Sequence, residues 1–365
     1  MKVVILPGDG VGPEVVNEAA KVLRVVCDTH SLPLSVEYAS VGGAALKDAG
    51  SPLPAETSEA CLAADAVILG AVGDPEFDHV LPEHRPESGL LALRKLLGGF
   101  ANLRPSRAVP ALLSSSPLRR EIFEGTDLLI VRELLGGLYF GEPRGIRDDG
   151  NEAFNTMTYT RDEIRRVARI AFKAAAGRRQ RLTSVDKANV LETSRLWRET
   201  VDDVAAEFPG VEVEHLYVDA CAMHLVTDPR RFDVLLTENM FGDILSDEAA
   251  VLTGSLGMLA SATIGGRVDL YEPVHGSAPD IAGLGVANPI GAIASAAMML
   301  RETFGQTAAA DCIEMGIERA LDEGFRTRDI SGVGNETLVS TSEMGDLVAE
   351  RSIEMSNLSF AYYAV

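Results

Sequence analysis

The chain holds 365 residues, 46% of them hydrophobic and 24% charged, with a formal net charge of −21. This length exceeds one ordinary core and calls for two domains or one large one, and the composition is that of a soluble globular protein. The acidic surplus argues against nucleic acid or an anionic membrane as a partner, because both reward Lys and Arg.

Nothing at the start reads as an export leader and no run approaches membrane-spanning length, so a cytoplasmic location is expected. Cys27, Cys61, Cys221 and Cys312 lie far apart without a C-x-x-C pair, which disfavours a disulfide framework or a structural zinc site.

In chain order, the apolar run "VVIL" (3 to 6) leads into the glycine turn "PGDGVGPEV". A dinucleotide fingerprint needs G-x-G-x-x-G, but Gly8, Gly10 and Gly12 bring the third glycine one position early. Asp28 falls where a ribose-binding acid would, yet inside the same helical pattern as Val15, Ala19, Leu23 and Val26. A structural turn is favoured over a phosphate cradle here. The further β-rich runs are "AVILG" (66 to 70), "DLLIVRE" (127 to 133), "LTSVD" (182 to 186), "VEHLYVD" (213 to 219) and "DVLLT" (233 to 237). With helical patterns between most of them, they predict a largely parallel α/β architecture. Residues 136 to 160, rich in Gly and strand formers with a turn at "DDGN", predict a protruding hairpin arm for subunit contact, with a mobile surface loop as the alternative. The basic knot "GRRQR" (177 to 181) reads as a solvated helix end.

The strongest chemical signal is "TENMFGDILSDEAA" (237 to 250), where Asp243 and Asp247 stand four apart and share a helix face. Two carboxylates aimed at one spot repel unless a cation or a shared proton separates them. Hard oxygen ligands suit Mg²⁺ or Mn²⁺, while a solvated acidic face is the plainer alternative. Arg94, Arg104 and Arg132 offer bidentate grips for a small di- or tricarboxylate. Lys187 and Asp219 follow or close strands, where α/β sites form, and Tyr139 offers a phenolic proton. His79, His84 and His224 lack zinc-ligand spacing and read as structural.

Several long blocks, among them "LLALRKLLGGFANLRP", "DLLIVRELLGGLYFGEPRG", "SVDKANVLETSRLWRE", "DACAMHLV" and "HGSAPDIAGLGVANPIGAIASAAMML", resemble the isocitrate/isopropylmalate dehydrogenase family, and within it the 3-isopropylmalate dehydrogenases. The resemblance runs from about residue 2 to about residue 355. It implies NAD-dependent oxidative decarboxylation of (2R,3S)-3-isopropylmalate to 4-methyl-2-oxopentanoate and CO₂ in leucine biosynthesis. D-malate, tartrate and homoisocitrate dehydrogenases are the nearest alternatives. The fold implied is a two-domain α/β arrangement with largely parallel central sheets and a β-arm at a dimer interface, not a Rossmann fold. Residues 1–100 with 254–365 would form a discontinuous NAD-binding domain, and 101–253, with the arm at 136–160, the substrate and dimerisation domain. The active site would lie in the cleft between them.

Carried over by motif, the resemblance assigns the substrate carboxylates to Arg94, Arg104 and Arg132. A Mg²⁺ or Mn²⁺ ion falls to Asp243 and Asp247, with Asp219 of a second subunit also reaching the substrate. Lys187 of that second subunit becomes the base and Tyr139 the acid that protonates the enolate left by CO₂. NAD falls to Glu87, His275, Gly276, Ser277, Ala278, Pro279, Asp280, Ile281 and Asn288, which makes the first glycine motif a turn. Asp280 favours NAD over NADP, since a carboxylate accepts from a free 2′-hydroxyl and repels a 2′-phosphate. Leu90 and Leu91 are expected as an apolar wall for the isopropyl group, with ordinary core as the alternative. A homodimer with shared sites follows. A non-catalytic dicarboxylate-binding protein would need neither the aspartate pair nor Lys187. An enzyme built on the first glycine turn would lose cofactor binding on Gly10→Ala while tolerating Asp280→Ala.

Overall fold

Runs of Val, Ile and Leu that are apolar at every position become strands buried on both faces, as parallel sheets under helices require. In the computed structural model, which describes residues 1–113, 118–250, 254–332 and 336–363, Ala66–Ala71 is such a strand, buried at all six positions. The chain divides into two units, one of Met1–Gly99, Val109–Ser115 and Thr253–Val365, the other of Phe100–Ala108 and Ser116–Leu252.

The first unit orders its strands Ser35–Tyr38, Lys2–Gly8, Ala66–Ala71, Asp269–Pro273, Ala260–Ile264. Only the last pair is antiparallel. The helices Gly12–Thr29, Ile290–Glu302, Thr307–Asp322 and Thr341–Tyr363 pack together beside this sheet. Most of Ile290–Glu302 is buried, so its apolar residues run round the whole helix rather than along one stripe. The C-terminal stretch from 354 is part of the last helix through Tyr363, and residues 364 and 365 lie outside the described residues.

The second unit orders its strands Ala101–Arg107, Asp127–Glu133, Val234–Thr237, Arg181–Asp186, Glu212–Tyr217, and only the first pair is antiparallel. The helix Arg161–Ala176 starts on a capping box formed by Thr160 and Glu163, which satisfies two backbone donors left free at a helix start. The segment 136 to 160 contains a short antiparallel hairpin, Gly145–Arg147 against Glu152–Phe154. Its turn carries Asp148 and Asp149 at φ 54 and 53, and Ile146 is 74% exposed.

Two expectations need correction. The knot at 177 to 181 is not simply solvated: Arg178 bonds Asp127 and the buried Asp233, and the backbone N–H groups of Arg179 and Arg181 also donate to Asp233. An interior carboxylate demands such partners, and the basic run supplies them. Asp219 does not close a strand; the strand ends at Tyr217 and Asp219 lies in the first turn of the helix Val218–Thr227.

Candidate active site

In the second unit, the antiparallel register sets Asn102 opposite Arg132, so Asn102, Arg104, Ser106 and Arg132 share one sheet face. That face meets the helix Asn239–Ala250, where Ser106 donates to the Ala249 carbonyl and Arg104 donates to Ser246 at 2.6 Å. The helix begins directly after an apolar strand. Glu238 caps it by accepting from the N–H groups of Met240 and Phe241, donors that a helix start otherwise leaves unsatisfied.

The aspartates four apart therefore come to the arginines. Arg132 donates to Asp243 and to Asn239. Arg104 stands 3.8 Å from Asp243 and 3.5 Å from Asp247. Tyr139 donates its phenol to Asp243 at 2.8 Å. Burial first, and then Asp243, push the Tyr139 phenol up to about 12, so it keeps its proton at neutral pH. Burial also raises Asp247, Arg104 opposes this, and the charge of Asp243 adds to it. A divalent cation would relieve that repulsion, and the donors are hard carboxylate oxygens of the kind Mg²⁺ and Mn²⁺ take. Among the described residues no three His, Cys, Asp or Glu side chains gather to hold a metal. Asp219 thus does not stand beside Asp243 and Asp247 within one chain. It pairs instead with Lys187, which holds its carboxyl below the usual range, and the Lys187 ammonium lies 5.9 Å from the centre of the Tyr217 ring.

The first unit gathers the residues expected at a nucleotide. The helix Pro86–Leu97 carries Glu87, Leu91 and Arg94 at steps of four and three, hence on one face. The two leucines separate: Leu90 packs on the core while Leu91 is 45% exposed. Arg94 is already bonded to Glu272 at 2.7 Å. A Cβ built on Gly73 would lie 3.2 Å from Ser277 Oγ and 3.3 Å from Glu87 Oε1, which brings two of the expected cofactor residues to one place. The segment 275–288 is fixed from behind. Val11 donates to the Ser277 carbonyl at 2.8 Å, and Glu14 accepts from the N–H groups of Gly283 and Gly285.

Gly10 has φ +58, and a Cβ there would sit 2.0 Å from the Ser277 carbonyl oxygen. The opening glycines are therefore a turn in contact with this segment, and Gly10→Ala would disturb it whether or not the turn meets a phosphate. Ala278 holds φ +40 without being glycine, a strained conformation of the kind found at ligand sites. His275 bonds the Gly276 carbonyl through Nδ1, while its Nε2 is buried with no hydrogen-bond partner among the described residues. Burial lowers its pKa. A neutral imidazole with one uncommitted nitrogen beside the open side of Gly276 fits a nucleotide base. Asp280 is exposed. The Asn288 amide donates to Asp329 and Met258.

Sequence reading did not single out Asn239, Ser246, Tyr159, Glu133, Glu238, Asp9 or Glu14. The available signal was polar residues closing apolar strands, as in "VRE" and "LLTEN". Asp9 accepts from the backbone of Gly43, Ala44 and Gly73, contacts at separations that leave no periodic trace.

The parallel α/β units and the carboxylate pair set among arginines define a class: the chain belongs to the isocitrate/isopropylmalate dehydrogenase family, whose sequence model matches residues 2–348. Within that class it is similar to the 3-isopropylmalate dehydrogenase of Wolinella succinogenes, 54% identical over 348 residues that cover 95% of this chain and 97% of the relative. The 3-isopropylmalate dehydrogenase of Moorella thermoacetica is 57% identical over 349 residues, 95% of this chain and 98% of the relative. Among solved structures, isocitrate dehydrogenase from Methylococcus capsulatus matches with a TM-score of 0.86 at 36% identity, covering 96% of this chain and 99% of that one.

Proposed function

We propose that this chain oxidises and decarboxylates (2R,3S)-3-isopropylmalate to 4-methyl-2-oxopentanoate and CO₂, the reaction by which leucine biosynthesis forms its carbon skeleton, with NAD and Mg²⁺ or Mn²⁺. The observation that carries this reading is the high identity to 3-isopropylmalate dehydrogenases over nearly the whole chain, joined to an aspartate pair held against arginines and a phenol.

NAD supplies the two-electron oxidant, and the divalent ion supplies Lewis-acid stabilisation of the developing carbonyl and enolate. The residues do the rest. Arg94, Arg104 and Arg132 hold the substrate carboxylates by charge-assisted hydrogen bonds. Asp243, Asp247 and the partner subunit's Asp219 are the metal ligands. The partner subunit's Lys187 takes the proton from the C2 hydroxyl, and Tyr139, which keeps its proton at neutral pH, protonates the enolate carbon. Glu87 and the 275–288 segment, with His275, Gly276, Ser277, Ala278, Pro279, Asp280, Ile281 and Asn288, hold NAD. Leu91, exposed on the face shared with Glu87 and Arg94, meets the isopropyl group.

A second copy of the chain is part of this reading. Asp219, Met223 and Val226 recur at steps of four and three on the helix Val218–Thr227, and Met223 is 56% exposed. Ile244 beside Asp243 is 60% exposed. Apolar side chains on the faces that carry the acidic groups suit a partner helix. The helix and hairpin faces thus belong to a homodimer in the cytoplasm. Among the described residues no helix is long and apolar enough to cross a membrane.

The test is a spectrophotometric screen for NADH with isopropylmalate, D-malate, tartrate, isocitrate and homoisocitrate, each with and without EDTA. Turnover of isopropylmalate above the others, abolished by EDTA, is expected. Preference for another acid, or indifference to EDTA, contradicts the proposal.

A further inference from the structure

Behind Arg132 lies a cluster that the reaction scheme does not use. Glu133 and Glu238 are 0% and 3% exposed, and both stand 3.3 Å from one phenol, that of Tyr159. Each carboxylate also accepts two backbone N–H groups: Glu133 from Leu135 and Gly136, Glu238 from Met240 and Phe241. The Tyr159 oxygen accepts the N–H of Asn239 at 3.0 Å. Burying two carboxylates is costly unless they are bound this closely, and the pattern of their partners shows what is held.

Those partners are the backbone of the two segments that lead into the site residues. Leu135 and Gly136 begin the turn that carries Tyr139, and Met240 and Phe241 begin the helix that carries Asp243 and Asp247. Asn239 lies between them, with all its polar side-chain atoms engaged. Its Oδ1 accepts from Arg132 Nε and Nη2, at 3.1 and 2.7 Å, and its Nδ2 donates to the Leu134 and Gly136 carbonyls. The Tyr159 ring closes the arrangement, since a Cβ on Gly137, φ +73, would sit 2.4 Å from the phenol oxygen. The "GG" before Tyr139 is the space the ring requires.

We propose that Glu133, Tyr159 and Glu238 are positioning residues which, through Asn239, fix the Arg132 guanidinium and the Tyr139 turn relative to each other, so that substrate carboxylate binding depends on the Tyr159 hydroxyl. This rests on the reading that Arg132 binds a substrate carboxylate.

The experiment is Tyr159→Phe in the full-length protein, with Trp197→Phe as control. Trp197 meets the same ring edge-on at 5.6 Å and donates its Nε1–H to Ser184, so the control disturbs the packing of the ring and a hydrogen bond outside the cluster while leaving the Tyr159 hydroxyl in place. Three readouts are taken: KM for isopropylmalate, KM for NAD, and the thermal shift produced by isopropylmalate alone. For Tyr159→Phe the isopropylmalate KM rises about tenfold or more, the scale of one weakened charge-assisted hydrogen bond, and the isopropylmalate thermal shift shrinks. Its NAD KM stays within about twofold, which is RT ln 2, well under one hydrogen bond. Trp197→Phe lowers Tm and leaves the isopropylmalate KM in place. The proposal is overturned by an unchanged isopropylmalate KM in Tyr159→Phe, by an equal rise in both KM values, or by Trp197→Phe reproducing the effect. Should Tyr159→Phe not fold, Glu133→Gln, which exchanges one acceptor for a donor facing Leu135 and Gly136, answers the same question by the same readouts. If the wild type ignores isopropylmalate, the functional reading fails, and the same variants are read with whichever 2-hydroxy acid of the screen is turned over.

Discussion

Asp243 accepts from Arg132 and Tyr139, so Asp243→Asn keeps the side chain's shape and removes its charge. On the proposed reading this variant needs far more Mn²⁺ for half-maximal turnover, and an unchanged metal titration would contradict the assignment. Lys187→Ala is expected to lower kcat by about 10²-fold or more, the usual contribution of a general base; near-normal turnover would remove the lysine from the mechanism. For Tyr139 the direction of the shift sets the pH dependence. Its pKa is raised to about 12, so the phenol stays protonated below that pH and deprotonates only above it. Tyr139→Phe should therefore depress kcat by a constant factor across neutral and mildly alkaline pH; a wild-type basic limb near pH 9 that vanishes in the variant would assign Tyr139 a lower pKa than the geometry gives. Asp280 predicts a much lower kcat/KM with NADP than with NAD, and equal values would argue against its contact with the ribose.

Elements differed in how plainly their residues announced them. The strands Lys2–Gly8 and Ala66–Ala71 were legible because the stretches covered on both faces, residues 3–6 of the first and all of the second, are apolar. The strand Ala101–Arg107 was not, because its face toward the Asn239–Ala250 helix is polar: Asn102, Arg104 and Ser106 alternate along it, and Pro105 interrupts the run. The feature that hid the strand is the one that builds the site. Ser35–Tyr38 is largely exposed and Ala260–Ile264 is built mostly of small residues, so neither stands out in hydrophobicity. The Asp243 and Asp247 pair was legible from spacing within one helix, whereas Tyr159 lies 26 residues from Glu133 and 79 from Glu238, beyond any local pattern. At this scale the opening turn makes a stability prediction. Gly10→Ala forces a left-handed alanine, about 1–2 kcal/mol, onto the Ser277 carbonyl, so Tm falls and the NAD KM rises. Gly210→Ala, where an added Cβ meets nothing within 4 Å, is the neutral comparison. Equal melting temperatures for the two variants would show that the turn does not bear on the cofactor segment.

At the scale of the whole molecule, one chain supplies Asp243 and Asp247 at one place and the Lys187 and Asp219 pair at another, with no third acidic or imidazole ligand joining the first pair among the described residues. The proposed dimer completes each site by exchange: one copy offers the arginines, the phenol and two carboxylates, and its partner offers the base and the third carboxylate. On the proposed reading, the exposed Met223, Val226 and Ile244 on those faces would be covered by the partner. The most direct measurement mixes Lys187→Ala with Asp243→Asn, by co-expression or by subunit exchange, at a Mn²⁺ concentration that saturates the wild type and leaves each variant alone with little or no turnover. Half of the dimers formed at random contain one chain of each kind, and in each of these one of the two sites has both residues intact, so activity should return to about a quarter of wild type. Recovery of that size is the predicted result; a mixture as inactive as its components would mean that each site is built within a single chain.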